Sequence, residues 1–259
     1  MPRDLGRVLL VGAGPGAPDL MTVRAMRAVQ GAQALLYDAL VDEEVLALAP
    51  ATCLRIQTGK RAGKASMKQD TINRLMLRLA RRGLTVVRLK GGDPSIFGRS
   101  GEERVFLERH GVGVEVVPGV TAASAAAAQF NFPLTHRGEA RRVTFATARV
   151  QDGTIVERGW EGLADAQTTV VLYMARDSAQ AVADRLMAEG RSPATPALAV
   201  ENAGRPEARL VTARLADLGR VVAAESFTGP VLLVVGEAAA QAWAFDQGAC
   251  VTTASGAAN

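Results

Sequence analysis

The first residues that could support chemistry lie in a glycine-rich loop, residues 12–18. This loop begins with the last glycine of the apolar run VLLVG. The stretch from Gly12 to Ala17 fits the pattern G-x-G-x-x-A. Asp38 ends the next apolar run, at about the distance where a dinucleotide-binding fold places its ribose-binding carboxylate. However, Pro15 and Pro18 remove amide donors from the loop that would hold a pyrophosphate. An NAD-dependent oxidoreductase is therefore one alternative, and the prolines argue against it.

Two further loops follow predicted strands and carry small or acidic residues. The segment RLKGGDPSIFGRSGEE, residues 88–103, has two glycines before Asp93, and its Glu102 and Glu103 are interpreted as acids in the first turn of a helix. The segment VVPGVTAASAAAAQ, residues 116–129, places Thr121 at a helix N-cap. Because α/β folds bind ligands at the carboxyl ends of their strands, the three loops together predict one binding site.

Short β-branched runs alternate with helical patterns along the chain, which predicts an α/β architecture with largely parallel strands. The predicted strands are RVLLV, ALLYD, TVVRLK, VEVVPG, VTFAT, TVVLYM, ALAVE and PVLLVV. Ser66 and Gln69 form a capping-box pattern for a helix that ends at Gly83. A second helix is predicted from Asp177 to near Gly190.

Composition narrows the function classes. The 259 residues carry a net charge of +4, which is small for a nucleic-acid binder but compatible with a polyanionic small substrate. The high isoelectric point keeps a nucleic-acid module as an alternative, although only 4% aromatic residues argues against base stacking. Two distant cysteines and two histidines predict a cytoplasmic protein without a disulfide or metal site, and no run is long enough for a membrane span.

Seven motifs, taken together, carry a family resemblance. They are VGAGPGAPDLMT, YDALV, GKR, VVRLKGGDPSIFGRSGEE, VVPGVTAASAAAA, PLTHR and VVLYM. In this order and spacing, from about residue 7 to residue 236, they resemble the motifs of the tetrapyrrole methylase family. The resemblance implies two α/β domains with a ligand cleft between them, assembled as a homodimer. We expect an N-terminal domain at 1–135, a C-terminal domain at 136–245 and a flexible tail at 246–259.

The resemblance also implies an activity. Two methyl groups would pass from S-adenosyl-L-methionine to carbons 2 and 7 of uroporphyrinogen III, giving precorrin-2 and S-adenosyl-L-homocysteine. A sibling methylase that acts on a later precorrin is the alternative within the family. The product feeds cobalamin, sirohaem or haem d1 synthesis, and the sequence does not select one of them.

Matching the family motifs residue by residue gives the expected site. Catalytic candidates for handling the proton are Asp38, Lys60 and Arg99, with Arg99 better suited to anchoring a substrate carboxylate than to acting as a base. The expected cofactor contacts are Pro15, Gly91, Gly92, Asp93, Ile96, Thr121, Ala122, Met174 and Ala203. The expected partners of the substrate carboxylates are Arg61, His136 and Arg137, with Lys64 in the same basic cluster.

Five positions depart from the family pattern. Ser95 stands where a bulky apolar residue is usual, and Ser100 replaces a glycine. Ala148 and Arg149 replace a Gly-His pair, and Ala203 replaces a glycine that lines the cofactor. These departures bear on turnover, product inhibition or the choice of substrate more than on the reaction class.

Overall fold

The computed structural model describes residues 5–59, 67–148, 150–151, 154–155, 159–242 and 251–252. Within it the chain divides into two compact units, Met1–Thr121 and Ala122–Asn259. Each unit is built on its own sheet.

The first unit contains a parallel sheet of five strands in its described part. The strands are β1 (Val8–Gly12), β2 (Ala34–Tyr37), β3 (Leu54–Gln57), β4 (Val86–Lys90) and β5 (Val114–Val117). Their order across the sheet is β3-β2-β4-β1-β5, and every pairing is parallel. The central strands β1 and β4 are buried along their whole length, as expected for a sheet covered on both faces.

Helices cover both faces of this sheet. They are α1 (Val23–Gln30), α2 (Glu43–Ala47), α3 (Gln69–Ala80) and α4 (Ser100–Arg109). Thr22 and Asp42 cap α1 and α2 by accepting bonds from backbone amides of the first turns. On one face Ile72, Met76 and Leu107, from α3 and α4, pack with Leu10 and Leu36 of the strands. On the other face, α1 and α2 supply the core residues Val29 and Val45.

The second unit contains a mixed sheet. Its strands are β6 (Arg142–Thr147), β9 (Thr168–Tyr173), β10 (Pro196–Glu201), β11 (Arg209–Arg214), β12 (Val231–Val235) and β13 (Val251–Thr252). A separate hairpin joins β7 (Val150–Gln151) to β8 (Thr154–Ile155). The order is β13-β11-β10-β12-β9-β6, and among the described pairings of this sheet only β6 with β9 is parallel.

Three helices pack on the mixed sheet in the described part of the second unit. They are α5 (Ala122–Gln129), α6 (Ala179–Ala188) and α7 (Leu218–Ala224). Val182, Leu186 and Leu218 of α6 and α7 join the core on one face of the sheet. Ala123 and Ala126 of α5 pack with Phe130 in the core on the other face.

The structure corrects several details of the sequence-based expectation. The eight predicted strands are all present, but the second sheet is mostly antiparallel, so the expectation of largely parallel strands holds only for the first unit. The division between units lies before α5 rather than near residue 135, because α5 and Phe130 belong to the core of the second unit. Helix α3 begins at Gln69 with Lys68 at the N-cap, two residues later than the predicted N-cap Ser66, which lies outside the described residues.

Part of the predicted tail is ordered against the sheet, since β13 pairs with β11. The rest of residues 246–259 lies outside the described residues.

The described residues were considered for a membrane span and for a metal site. None of their helices is long and apolar enough to cross a membrane. Among the same residues, no group of three or more His, Cys, Asp or Glu side chains could hold a metal ion.

Candidate functional site

The loops singled out in the sequence lie at one edge of the first sheet. Because β1, β2, β4 and β5 run in parallel, the residues that follow them all emerge at the carboxyl edge. This edge carries the loop after Gly12, then Asp38, the Gly91–Gly92 pair and the Pro118–Thr121 turn. The sequence therefore placed these four segments correctly.

The glycine-rich loop is hydrogen bonded to the loop after β4. The amide of Gly14 donates to the carbonyl of Gly92 at 3.3 Å, and the amide of Gly92 donates back to the carbonyl of Gly14 at 2.7 Å. The amide of Ala13 donates to the carbonyl of Lys90 at 2.8 Å. Two amides that a pyrophosphate would need are thus already occupied, which argues against the dinucleotide alternative.

Glycine is required here by close approach of three backbones. A Cβ added at Gly12 would lie 2.6 Å from the Gly92 carbonyl oxygen and 2.7 Å from the Cα of Gly119. A Cβ at Gly119 would lie 2.2 Å from the same oxygen. Gly92 itself has φ of +68°, and among the described residues the one atom within 4 Å of an added Cβ would be Thr121 Cα, at 3.9 Å. The three loops are therefore packed together, with open space beside Gly92.

The Asp93 carboxylate joins two of these loops. One oxygen accepts the amide of Ser95 at 2.7 Å and also the Ser95 hydroxyl. The other oxygen accepts the amide of Gly119 at 2.9 Å. Asp93 thus fixes the turn that follows Gly92 and ties it to the loop after β5, which makes it an organising residue of this edge.

Asp38 is held by a buried arginine that sequence reasoning missed. Arg88 Nη2 lies 2.5 Å from Asp38 Oδ1, and Arg88 is 3% exposed while the Asp38 side chain is 32% exposed. Arg88 Nε also reaches Glu103 Oε1 at 3.2 Å, and Lys90 Nζ lies 3.1 Å from Glu103 Oε2. Glu103 lies in the first turn of α4, as the sequence predicted, and the structure shows in addition that it is fully buried.

A sequence signal for this cluster did exist. Arg88 and Lys90 alternate along the predicted strand TVVRLK, which the structure buries inside the sheet, and a cation inside a buried strand needs a buried anionic partner. No residue pattern identified Glu103 as that acid.

Arg99 lies on the surface and is already paired. It is at the N-cap of α4 with φ of +57°, and its guanidinium makes two bonds to Glu102, at 2.9 and 2.7 Å. The hydrogen bonds that Arg99 donates to Glu102 raise the pKa of Arg99 further above its usual value. A guanidinium that stays charged suits an anchor for a carboxylate and cannot serve as a base.

The expected contacts in the second unit follow β9 and β10. Because β12 is antiparallel to both strands, β9 and β10 end at the same edge of the mixed sheet. Met174 is 71% exposed with φ of +54°, and Ala203 is buried. Between them in the chain, Glu201 is buried and accepts bonds from Arg209 and from the amides of Thr228 and Gly229.

The remaining expected residues divide into described and undescribed ones. Pro15, Ile96 and Thr121 are partly buried in their loops, and Ala122 is partly buried at the start of α5. His136 and Arg137 lie on an exposed turn, with His136 Nδ1 3.6 Å from Glu139 Oε2. Three basic candidates lie outside the described residues: Lys60, Arg61 and Lys64.

Two departures from the family pattern have a physical account. Ser95 donates its amide and hydroxyl to Asp93, and the Ser100 hydroxyl donates to the carbonyl of Pro94 at 2.6 Å. Both serines therefore brace the loop after β4. Ala148 packs against the core of the second unit, and Arg149 lies outside the described residues.

Comparison with known families agrees with this geometry. The model of the Tetrapyrrole (Corrin/Porphyrin) Methylases matches residues 7–219. The chain belongs to this family.

Curated relatives of this methylase include two kinds of enzyme. It is 47% identical over 232 residues to siroheme synthase of Chromobacterium violaceum, covering 90% of this chain and 49% of that protein. It is 43% identical over 238 residues to uroporphyrinogen-III C-methyltransferase of Paracoccus denitrificans, covering 92% and 83%. The chain thus spans about half the length of the siroheme synthases that it matches.

Solved structures confirm the α/β fold of the tetrapyrrole methylases. A uroporphyrin-III C-methyl transferase from Thermus thermophilus, complexed with S-adenyl homocysteine, is 44% identical with a TM-score of 0.76, covering 90% of this chain and 98% of that one. A cobalt precorrin-4 methyltransferase is 30% identical with a TM-score of 0.81, covering 90% and 95%.

Proposed function

We propose that this methylase transfers methyl groups from S-adenosyl-L-methionine to carbons 2 and 7 of uroporphyrinogen III, giving precorrin-2. The observation that carries the proposal is the carboxyl edge of the first sheet. There, an Asp38 carboxylate fixed by Arg88 adjoins packed glycine loops, in a chain 43% identical to the Paracoccus enzyme over most of its length.

The residues of this edge fit S-adenosyl-L-methionine. The cofactor is a cation at its sulfonium and carries no phosphate, so a loop whose amides are already bonded is no disadvantage. Backbone carbonyls and the Asp93 carboxylate provide acceptors for its positive groups. The open space beside Gly92 leaves room for a ligand against the backbone. Pro15, Gly91, Ile96, Thr121 and Ala122 are the further contacts proposed in these loops, and Met174 and Ala203 are proposed in the second unit.

The bound cofactor supplies an electrophilic methyl group. This chain's residues must hold the nucleophilic pyrrole carbon in line with it and remove one proton for each methyl transferred. Asp38 is the described carboxylate best suited to accept that proton, because it is held by Arg88 yet remains accessible. Lys60 is a further candidate from the family motif.

The eight carboxylates of the substrate need cationic partners. Arg99 is proposed to anchor one of them, exchanging its surface bond to Glu102 for a substrate arm. Arg61, His136 and Arg137 are proposed for others. We further propose a cytoplasmic homodimer, which sedimentation of the purified protein would test.

The experiment is anaerobic incubation with uroporphyrinogen III and labelled S-adenosyl-L-methionine, followed by mass spectrometry of the product. Two added methyl groups are expected, and none in a control without enzyme. Products carrying a single methyl after exhaustive reaction would contradict the proposal.

A second candidate is a sibling methylase acting on a later precorrin. It is favoured by the TM-score of 0.81 with the cobalt precorrin-4 methyltransferase, although the identity of 30% is lower. Cofactor binding without any methylation of uroporphyrinogen III, together with methylation of a later precorrin, would support this candidate.

A further inference from the structure

A fully buried carboxylate lies beneath the candidate site of the first unit. Glu103 Oε1 accepts from Gln69 Nε2 at 2.9 Å and from Arg88 Nε at 3.2 Å. Lys90 Nζ lies 3.2 and 3.1 Å from the two Glu103 oxygens. Burying an ionised carboxylate costs several kcal/mol unless it is paired and hydrogen bonded. Glu103 meets that requirement through side chains from α3 and β4.

Arg88 connects this buried carboxylate to the accessible one. Its planar guanidinium directs Nε to Glu103, Nη1 to Thr58 Oγ1 at 3.0 Å and Nη2 to Asp38 Oδ1 at 2.5 Å. Because the nitrogens of a guanidinium lie in one rigid plane, fixing Nε fixes the direction of Nη2. The position of the Asp38 carboxylate is therefore linked to that of Glu103.

The register of the sheet explains why these groups meet. Leu10, Leu36 and Arg88 pair across β1, β2 and β4, and so lie on the face that α3 and α4 cover. Asp38 follows Leu36 by two residues, and Lys90 follows Arg88 by two, which keeps both on this face. The covered face of the sheet is therefore polar at the carboxyl ends of β2 and β4, whereas the rest of that face is apolar.

The charges of the cluster balance. Asp38 and Glu103 oppose Arg88 and Lys90, each cation being about 5% exposed or less. Burial lowers the pKa of Lys90 most and the neighbouring Arg88 lowers it further, while Glu103 opposes the change. Without the Glu103 charge, two buried cations would compete for the Asp38 carboxylate, and the bond that orients Arg88 would lose its ionic acceptor and weaken.

We propose that Glu103 is a positioning residue that acts through Arg88 to fix the Asp38 carboxylate for the proton removal that accompanies methyl transfer. This inference rests on the proposed function, in which Asp38 accepts the proton. The inference assigns a role in catalysis to a fully buried residue that is not among the proposed cofactor contacts.

The first test is Glu103→Gln, which keeps the shape of the side chain and removes its charge. We expect the single-turnover rate of methyl transfer to fall by about ten- to a hundredfold, since small misplacements of catalytic groups have effects of this size. The dissociation constant for S-adenosyl-L-methionine, measured by calorimetry, should change by less than about twofold. Glu108→Gln is the matched control, because Glu108 lies on the same helix in an exposed pair with Arg104.

The second test separates positioning from a merely structural role. In an Asp38→Asn background, adding Glu103→Gln should lower the rate by less than about threefold further, because the group that Glu103 positions is already lost. Full multiplication of the two losses would overturn the inference. So would a Glu103→Gln variant with an unchanged rate, or one whose cofactor affinity falls as much as its rate.

Folding is checked by thermal unfolding of each variant. If Glu103→Gln does not fold, the double variant Glu103→Gln with Lys90→Met takes its place, since it leaves Arg88 and Asp38 with balanced charges. A rate loss through the weakened Arg88 bond, smaller than the loss described for Glu103→Gln alone, and the same non-additivity with Asp38→Asn are expected, and their absence would overturn the inference. A wild-type protein that methylates neither uroporphyrinogen III nor a later precorrin overturns both this inference and the proposed function, whereas an active wild type with unaffected variants overturns this inference alone.

Discussion

Two buried carboxylates, one in each unit, are stabilised in different ways. Glu103 in the first unit is held by the side chains of Gln69, Arg88 and Lys90. Glu201 in the second unit is held by two backbone amides, of Thr228 at 2.6 Å and Gly229 at 2.7 Å, together with Arg209. The first carboxylate thus orients other side chains, and the second fixes a loop.

The comparison distinguishes two ways in which a buried carboxylate can fix the geometry of a site. A carboxylate bonded to backbone amides holds the chain in one conformation, and the neighbouring Asn202 has φ of +54° and packs against Gly229. A carboxylate bonded to an arginine passes its position on to a further group, here Asp38. We therefore expect substitutions in the first unit to affect catalysis and those around Glu201 to affect loop geometry and stability.

The largest effect on binding is expected from Asp93→Ala. This change removes the acceptor that ties Ser95 to Gly119, as well as a proposed partner of the cofactor, so affinity for S-adenosyl-L-methionine should fall about a hundredfold. Calorimetry measures it, with Asp70→Ala as the control, since Asp70 is an exposed helix acid in the same unit. An unchanged dissociation constant would remove Asp93 from the site.

Gly12→Ala should disturb the same edge through packing alone. An added Cβ would lie 2.6 Å from the Gly92 carbonyl oxygen, so the loops must separate, at a cost of up to about 3 kcal/mol in the free energy of unfolding. Gly101→Ala is the control, because Gly101 lies in α4 with no atom near an added Cβ and should gain about 0.5–1 kcal/mol. Denaturant titration measures both, and equal effects would contradict the close packing of the loops.

Glu201→Gln should lower stability by about 2 kcal/mol at neutral pH, with little effect on the chemical step once the cofactor is bound. Burial opposes ionisation of Glu201, but its bonds to Gly229, Arg209 and Thr228 lower its pKa below the ordinary value of 4.5. The stabilisation is therefore fully present above pH 4.5 and is lost as the pH falls through the lower folded-state pKa.

The measurement for Glu201→Gln is thermal unfolding from pH 7 down to pH 3. The difference from wild type should shrink at the acid end, while Glu207→Gln, at an exposed position, should track wild type throughout. A constant difference across that range would show that the carboxylate charge is not what holds the loop.

Met174→Gly should have the smallest effect on stability, and it should change stability and cofactor affinity in opposite directions. Met174 has φ of +54°, a conformation that costs a side-chain-bearing residue about 1 kcal/mol, so glycine should stabilise the second unit by about that amount. If Met174 contacts the cofactor, affinity should nevertheless fall severalfold. Asn131→Gly, at another exposed residue with positive φ, should leave affinity unchanged. Unchanged affinity in Met174→Gly would confine that residue to a conformational role.

The parallel sheet of the first unit was predictable because its signals are local. Apolar runs ending in glycine or in an acid marked β1, β2 and β4, and their parallel pairing brings the following loops to one edge. The mixed sheet was harder, since β11, the segment Arg209–Arg214 with an arginine at each end, shows no clear alternation and was not predicted as a strand. Antiparallel pairing in that unit could not be seen in the strand pattern.

The sequence by itself determined the family, the order of the loops and the acid and glycine positions at the first edge, because these are properties of short segments and their spacing. Only the tertiary structure decided that the amide of Gly14 donates to the carbonyl of Gly92, that Asp93 joins two loops, and that Glu103 is buried beneath Asp38. The physical reason is that a charged side chain in a helix's first turn has the same local preference whether solvent or a buried arginine faces it. Which of the two it meets depends on residues about fifteen positions away or more, brought close by strand register and helix packing.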